Sequence, residues 1–210
     1  MQTLLLPARR LGFPDEEWAA LLLAEAYAAD PAYVALWGPN SFEFVLSWMR
    51  LLVRYALRVG CLYASPSGQA VAVWVPDQAA PLSWRQLARG GLLGPLLKLG
   101  LSTTEHLLNW HRLQDDWRHQ TLPVAHHYLL ALGVRPADQR RGEGRSLLRA
   151  TVVAVGGRYL PCYAVAPTLP TVYFGQRLGF EVAAYAEQPA LTLAPATAPY
   201  WALVRPAAAV

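Results

Sequence analysis

The reading of the fold turns on Tyr128-Leu129-Leu130-Ala131-Leu132-Gly133-Val134-Arg135-Pro136-Ala137-Asp138-Gln139-Arg140-Arg141-Gly142-Glu143-Gly144-Arg145-Ser146. Tyr128 to Val134 is a short apolar run closed by Pro136, the length and boundary of a buried strand. A polar turn with two glycines follows. From Ser146 to Val155 apolar residues recur at helical spacing until Gly156-Gly157 stops them. The order is strand, tight loop, helix. Backbone N–H groups at a helix start lack partners and carry partial positive charge, so such a turn can hold phosphate. Gly142 and Gly144 remove Cβ atoms that would keep a pyrophosphate off those amides, and Arg140, Arg141 and Arg145 add positive charge beside them.

The glycine spacing fits neither the P-loop nor the dinucleotide fingerprint. Gln139-Arg140-Arg141-Gly142-Glu143-Gly144 resembles the acetyl-CoA motif of the GNAT acetyltransferase superfamily, Gln/Arg-x-x-Gly-x-Gly/Ala, at the matching place between strand and helix. The resemblance implies an α/β (α+β) fold: a mixed, mostly antiparallel sheet of six to seven strands flanked by helices, with its two central strands splayed. It implies acetyl-CoA as cosubstrate, held by Gln139 to Ser146 and by the strand backbone at Leu132, Gly133 and Val134. An open strand edge suits the amides of pantetheine.

Other stretches extend the likeness. Ala26-Tyr27-Ala28-Ala29-Asp30-Pro31 resembles the end of the family's first helix, which borders the acceptor site. Ala72-Val73-Trp74-Val75-Pro76 resembles the third strand of the puromycin-acetyltransferase-like branch. Thr171 to Phe180 resembles the closing motif Asn-x-x-x-Tyr-x-x-x-Gly-Phe. Aligned on Leu178-Gly179-Phe180, Thr171 replaces the cofactor-side asparagine and Gly175 replaces the tyrosine that protonates the departing thiolate. A second register uses Thr168-Leu169-Pro170 as the opening and brings Tyr173 nearer the acid's place. In the first register Tyr173 points roughly 200° away round the helix. No Asp or Glu lies on the two central strands, so the candidate bases are His127 and its neighbour His126.

The remaining segments read from pattern alone. Residues 3 to 11 suit a first strand, and Pro14-Asp15 opens a helix that Asp30-Pro31 ends. Ser41 caps a second helix reaching Arg58, whose aromatics, with Trp37, supply three candidate acceptor contacts: Trp37, Phe44 and Trp48. Cys61 to Val75 is a hairpin turning at Pro66-Ser67-Gly68. Residues 83 to 121 read as two or three short helices, started by capping boxes at Ser83 and Ser102 and serving as a lid or a homodimer contact. Tyr159 to Val165, Phe180 to Tyr185 and Tyr200 to Val204 are the last strands.

Composition limits the function. The 210 residues suit one domain, and no apolar run reaches bilayer length, which argues against a membrane partner. The net charge of +4 comes from scattered arginines, with Lys98 the only lysine, so there is no nucleic-acid footprint. Met1 to Pro7 lacks signal-peptide order, and Cys61 and Cys162 read as reduced core thiols of a cytoplasmic protein. No histidine or cysteine spacing suggests a metal. The expectation is an N-acetyltransferase passing acetyl to a primary amine of a small molecule by direct attack. The alternatives are a non-catalytic acyl-CoA-binding protein and a transferase of longer acyl groups.

Overall fold

The computed structural model describes residues 8–79, 83–85, 99–189 and 197–208. Among the described residues seven strands form one sheet in the order β1-β2-β3-β4-β5-β7-β6. They are β1 (Arg9–Arg10), β2 (Cys61–Ala64), β3 (Ala70–Pro76), β4 (His127–Val134), β5 (Cys162–Ala166), β6 (Glu181–Pro189) and β7 (Thr197–Arg205). Among the described residues six full α-helices surround it: α1 (Glu16–Tyr27), α2 (Pro31–Trp37), α3 (Phe42–Val59), α4 (Leu101–Thr121), α5 (Glu143–Ala154) and α6 (Leu169–Gln176). The mixed, mostly antiparallel sheet is the one expected. Every pairing is antiparallel except β4 with β5.

That parallel pair holds for only three residues, His127↔Cys162, Tyr128↔Tyr163 and Leu129↔Ala164. Beyond Leu129, β4 stays on β3 as far as Val134 while β5 follows β7, so the central strands splay. The register offers a cause. Val73 faces Ala131 and Trp74 faces Leu129, which leaves Leu130 as an extra residue in β4. A bulge bends and twists its strand, here at the fork. It shifts the alternation too: Tyr128, Leu130 and Ala131 pack with α1 and α3, whereas Leu129, Leu132 and Val134 pack with α5.

Each face of the sheet has its own core. On one, α1 and α3 bury Leu22, Leu23, Trp48, Met49 and Leu51. Each such side chain contributes about 1.5–3 kcal/mol on leaving water. On the other, Leu147, Leu148 and Val152 of α5 meet Trp74, Cys162 and Leu203. Gly133 sets how closely α1 approaches. A Cβ there would lie 2.7 Å from Leu23 Cδ2 and 3.1 Å from Ala26 Cβ.

Several boundaries differ from the pattern reading. Asp30-Pro31 ends α1 and also starts α2, because Asp30 accepts from the Ala32 amide at 2.9 Å with proline at the first helical position. Ser41 precedes α3 without capping it, and its buried hydroxyl has no partner. Ser102 is not a cap either: Gly100 stands at that position, and Leu101–Thr121 is one continuous helix. The proposed capping box at Ser83 runs into residues outside those described.

Candidate functional site

The site is built on the free edge of β4. Arg135 N–H donates to the Gln69 carbonyl on the β3 side at 2.9 Å. Antiparallel alternation then turns Gly133 toward β3, and Leu132 and Val134 toward the gap left by β5. Their hydrogen bonds agree. The Leu132 N–H donates to the Tyr27 hydroxyl, which donates to the Leu132 carbonyl, both at 3.3 Å. The Val134 carbonyl accepts from Gln139 Nε2 at 3.2 Å. Side chains thus cover an edge that a peptide-like ligand could pair with.

The helix start lies at the open end of that edge. Gly142 is the residue before α5, with φ +90° and open space around it, a backbone shape that disfavours any side chain. Gly144 has a different role from the expected cradle. A Cβ there would meet Val134 Cγ2 at 3.1 Å and Phe174 Cζ at 3.8 Å, so its small size lets α5 close onto β4 and α6. Glu143, an acid within the expected cofactor turn, accepts from Ser67 Oγ in the β2–β3 turn at 2.7 Å. That bond ties the helix start to the hairpin. Arg140 (φ +61°) and Arg141 are exposed, and Arg141 pairs with Asp138 at 3.3 Å. Arg145 and Ser146 lie in the first turn of α5, where Ser146 N–H makes the first helical bond, to Gly142.

On the α3–α4 face a narrow recess of about 30 Å³ reaches the fork. Tyr128 and Leu130 form its β4 wall, Tyr55 comes from α3, and His111, Gln114, Asp115 and Arg118 come from α4. Arg118 is almost fully buried. It pairs with Asp115, and its guanidinium carbon lies 5.1 Å from the centre of the Tyr128 ring. Its Nη1 is 2.7 Å from His126 Nε2, while His126 Nδ1 is 2.6 Å from the Val124 carbonyl. A carbonyl and a guanidinium on opposite sides fix the tautomer: Nδ1 carries the proton and Nε2 accepts. Burial and the Arg118 charge hold the His126 pKa below the usual histidine range, with the Val124 bond opposing. Burial alone brings His111 down to about 4, against a smaller pull from Asp115, and its Nε2 has no hydrogen-bond partner.

The expected site residues fall into two sets. Leu132, Gly133, Val134 and Gln139 to Ser146 gather at the edge and the helix start. The expected bases stand apart from the recess. His127 precedes the fork, with its Nε2 3.8 Å from a Cβ built on Gly156, beyond the C-terminal end of α5, and His126 is committed to Arg118 and Val124. Trp37 stacks between Tyr33 and Phe44 at 5.7 and 6.0 Å, and Trp48 is wholly buried behind His111. None of Trp37, Phe44 or Trp48 lines the recess. Thr171 is exposed and shares a 2.9 Å contact with Thr168, the residue that caps α6. Gly175 faces β7, where a Cβ would meet Leu203 Cδ1 at 2.7 Å, while Tyr173 is exposed on the far side of α6. The resemblance put the stretch holding Tyr27 beside the acceptor site but gave that residue no role, and the pattern reading missed the polar face of α4. His111, Asp115 and Arg118 stand at i, i+4 and i+7, a helical stripe that could have marked them.

The forked, mostly antiparallel sheet with a helix start at its open edge has the fold of solved GNAT acetyltransferases. Neither a family model nor a curated protein matches the chain by sequence. Solved structures do match by shape. A Corynebacterium glutamicum protein described as histone acetyltransferase HPA2 and related acetyltransferase superposes with TM-score 0.62 at 19% identity, covering 97% of each chain. A putative arylalkylamine N-acetyltransferase 7 of the mosquito Aedes aegypti gives 0.62 at 12% identity, over 94% of this chain and 86% of that one. The Drosophila melanogaster polyamine N-acetyltransferase gives 0.52 at 18% identity, over 94% and 97%.

Proposed function

We propose that the chain is an acetyl-CoA-dependent N-acetyltransferase acting on a small primary amine. The observation that carries this reading is the alignment of two features. Beyond Leu129 the edge of β4 turns the polar backbone of Leu132 and Val134 into the gap, and the start of α5 lies at the end of the same edge. The first supplies paired N–H and C=O groups for pantetheine. The second supplies unpaired amides for its pyrophosphate.

In this reading the Leu132 N–H polarises the thioester carbonyl. The amine enters from the recess, held close enough that orientation lowers much of the barrier. An alkyl amine must lose a proton before it attacks; with the His111 pKa held near 4 and its Nε2 buried, that proton passes to solvent at the mouth of the recess. Asp115 is already paired with Arg118, so the recess offers little free negative charge, which favours a monoamine over a polycation. The named activities of the Aedes and Drosophila neighbours support an amine acceptor.

The experiment is calorimetric titration with acetyl-CoA of the wild type and of Gly142→Val, with circular dichroism confirming that both fold. The expected result is one-to-one binding, weakened about tenfold or more by the branched side chain at a left-handed position. Absence of binding to the wild type overturns the reading. One observation favours a second reading, a non-catalytic acyl-CoA-binding protein: Gly175 stands where the acid tyrosine is expected and has no room for a ring. Binding without turnover across a panel of amines selects it.

A further inference from the structure

We infer that the Tyr27 hydroxyl is a second hydrogen-bond donor to the acyl oxygen, acting beside the Leu132 N–H; this rests on the acetyl-transfer reading above. Three observations converge on Tyr27. First, the missing side chain at Gly133 lets α1 lie against β4, with Ala26 and Leu23 in the space a Cβ would take. That contact carries Tyr27, the last residue of α1, to the strand's free edge. Second, its single oxygen is 3.3 Å from both the nitrogen and the oxygen of Leu132, so it accepts from one and donates to the other. Third, the ring is braced edge-on against Tyr33, with centroids 6.0 Å apart, and Tyr33 is itself buried.

The phenol therefore occupies, in the free chain, the place an acyl oxygen needs in order to accept from Leu132 N–H. Both bonds are longer than the usual hydroxyl bond of about 2.7–2.8 Å, so the contact is readily exchanged. A thioester oxygen arriving at that amide displaces the phenol from it and comes within reach of the O–H. The hydroxyl then turns its proton from the Leu132 carbonyl to the acyl oxygen. Burial keeps the phenol protonated, with its pKa pushed up to about 12, so it stays a donor at any working pH. In the transfer the amine nitrogen forms the new C–N bond. The C–S bond breaks with its electron pair on sulfur, and the proton lost from nitrogen ends, through solvent, on the thiol. Tyr27 keeps its own proton throughout. It strengthens as a donor while negative charge grows on oxygen, the preorganised stabilisation that lowers a barrier.

The test is Tyr27→Phe, which keeps the ring and removes only the oxygen. Its readouts are kcat with a responsive amine and the affinities for acetyl-CoA and for CoA, which lacks the acyl oxygen. The expected result is a fall in kcat of about 100- to 1,000-fold, because one of two donors is lost. CoA affinity should be unchanged, and any preference of the wild type for acetyl-CoA over CoA should shrink. Unchanged kcat overturns the inference. So does an equal loss of affinity for both ligands, which would make Tyr27 a strut for β4. A wild type that turns over acetyl-CoA beside an equally active Tyr27→Phe sinks this inference alone, whereas a wild type that binds neither ligand sinks the acetyl-transfer reading beneath it.

Discussion

A Cβ at Gly175 would lie 2.7 Å from Leu203 Cδ1 and 3.6 Å from Phe180 Cβ, so the residue is a glycine because α6 rests directly on β7. Overpacking of this kind costs about 1–3 kcal/mol for extra methylenes, and a ring is a larger insult. Gly175→Tyr, which puts the family's tyrosine back by alignment, should therefore destabilise the fold by about 3 kcal/mol. At roughly 2–4 °C per kcal/mol for a chain of this length, Tm falls by about 6–12 °C. Turnover should not improve. Differential scanning calorimetry beside an acetyl-transfer assay checks both outcomes, and an unchanged Tm with faster turnover would mean that α6 rotates to admit the ring. The alignment on Leu178-Gly179-Phe180 found this position but not its direction, because a motif records spacing and not the face a helix presents. The second register fares better at its start: Thr168 does cap α6, accepting from Thr171 N–H at 3.4 Å.

At the scale of elements, α4 turns polar groups inward, and burial makes their protonation a stability question. His111 has a folded-state pKa near 4, below the value of 6.5 for an unperturbed histidine. Between those values the unfolded chain binds more protons than the folded one, so stability rises with pH and is lost as pH falls from about 6.5 toward 4. For His111 alone the loss from pH 7 to pH 5 is about 2 kcal/mol. His126 and His127, lowered chiefly by burial, act in the same direction. Urea unfolding at the two pH values should show this slope, and His111→Phe should flatten it; an unaltered slope would place the cause elsewhere. The inward stripe was hard to read because its apolar and polar residues do not segregate as on a surface helix. Leu107 and Leu108 are buried, but so are Thr104, Gln114 and Arg118. Glycine and proline guided the pattern reading of residues 83 to 121; the breaks it placed at Gly90-Gly91 and Gly94-Pro95 lie outside the described residues, and the last piece starts after Gly100, before the expected Ser102 cap, and runs for 21 residues. Similarly Asp30-Pro31 reads equally well as a stop or a start, and here it is both.

For the whole molecule, strand existence was the most legible level, because β2 to β5 and β7 each carry an apolar run bounded by turn residues. The fork was not legible from periodicity. It arises from one extra residue, Leu130, and a three-pair ladder, which no alternation of side chains announces; only the likeness of the glycine turn to a known family implied it. The same fork predicts how the chain responds to its ligand. In the sheet, β1 to β4 and β5 to β7 share only those three backbone pairs, with the core around Trp74, Cys162 and Leu203 as a further link. A ligand laid along β4 and the start of α5 adds free energy by mass action, about 2.7 kcal/mol at a concentration of 100 times Kd. That should raise Tm by roughly 5–10 °C. Under the proposed acetyl-CoA reading, CoA should account for most of the rise, since its pyrophosphate and pantetheine would bind without the acetyl group. Gly142→Val, whose distorted turn weakens the phosphate contacts, should show a much smaller rise at the same ligand concentration. A full rise in that variant would locate binding away from α5 and break the link between the fork and the glycine turn.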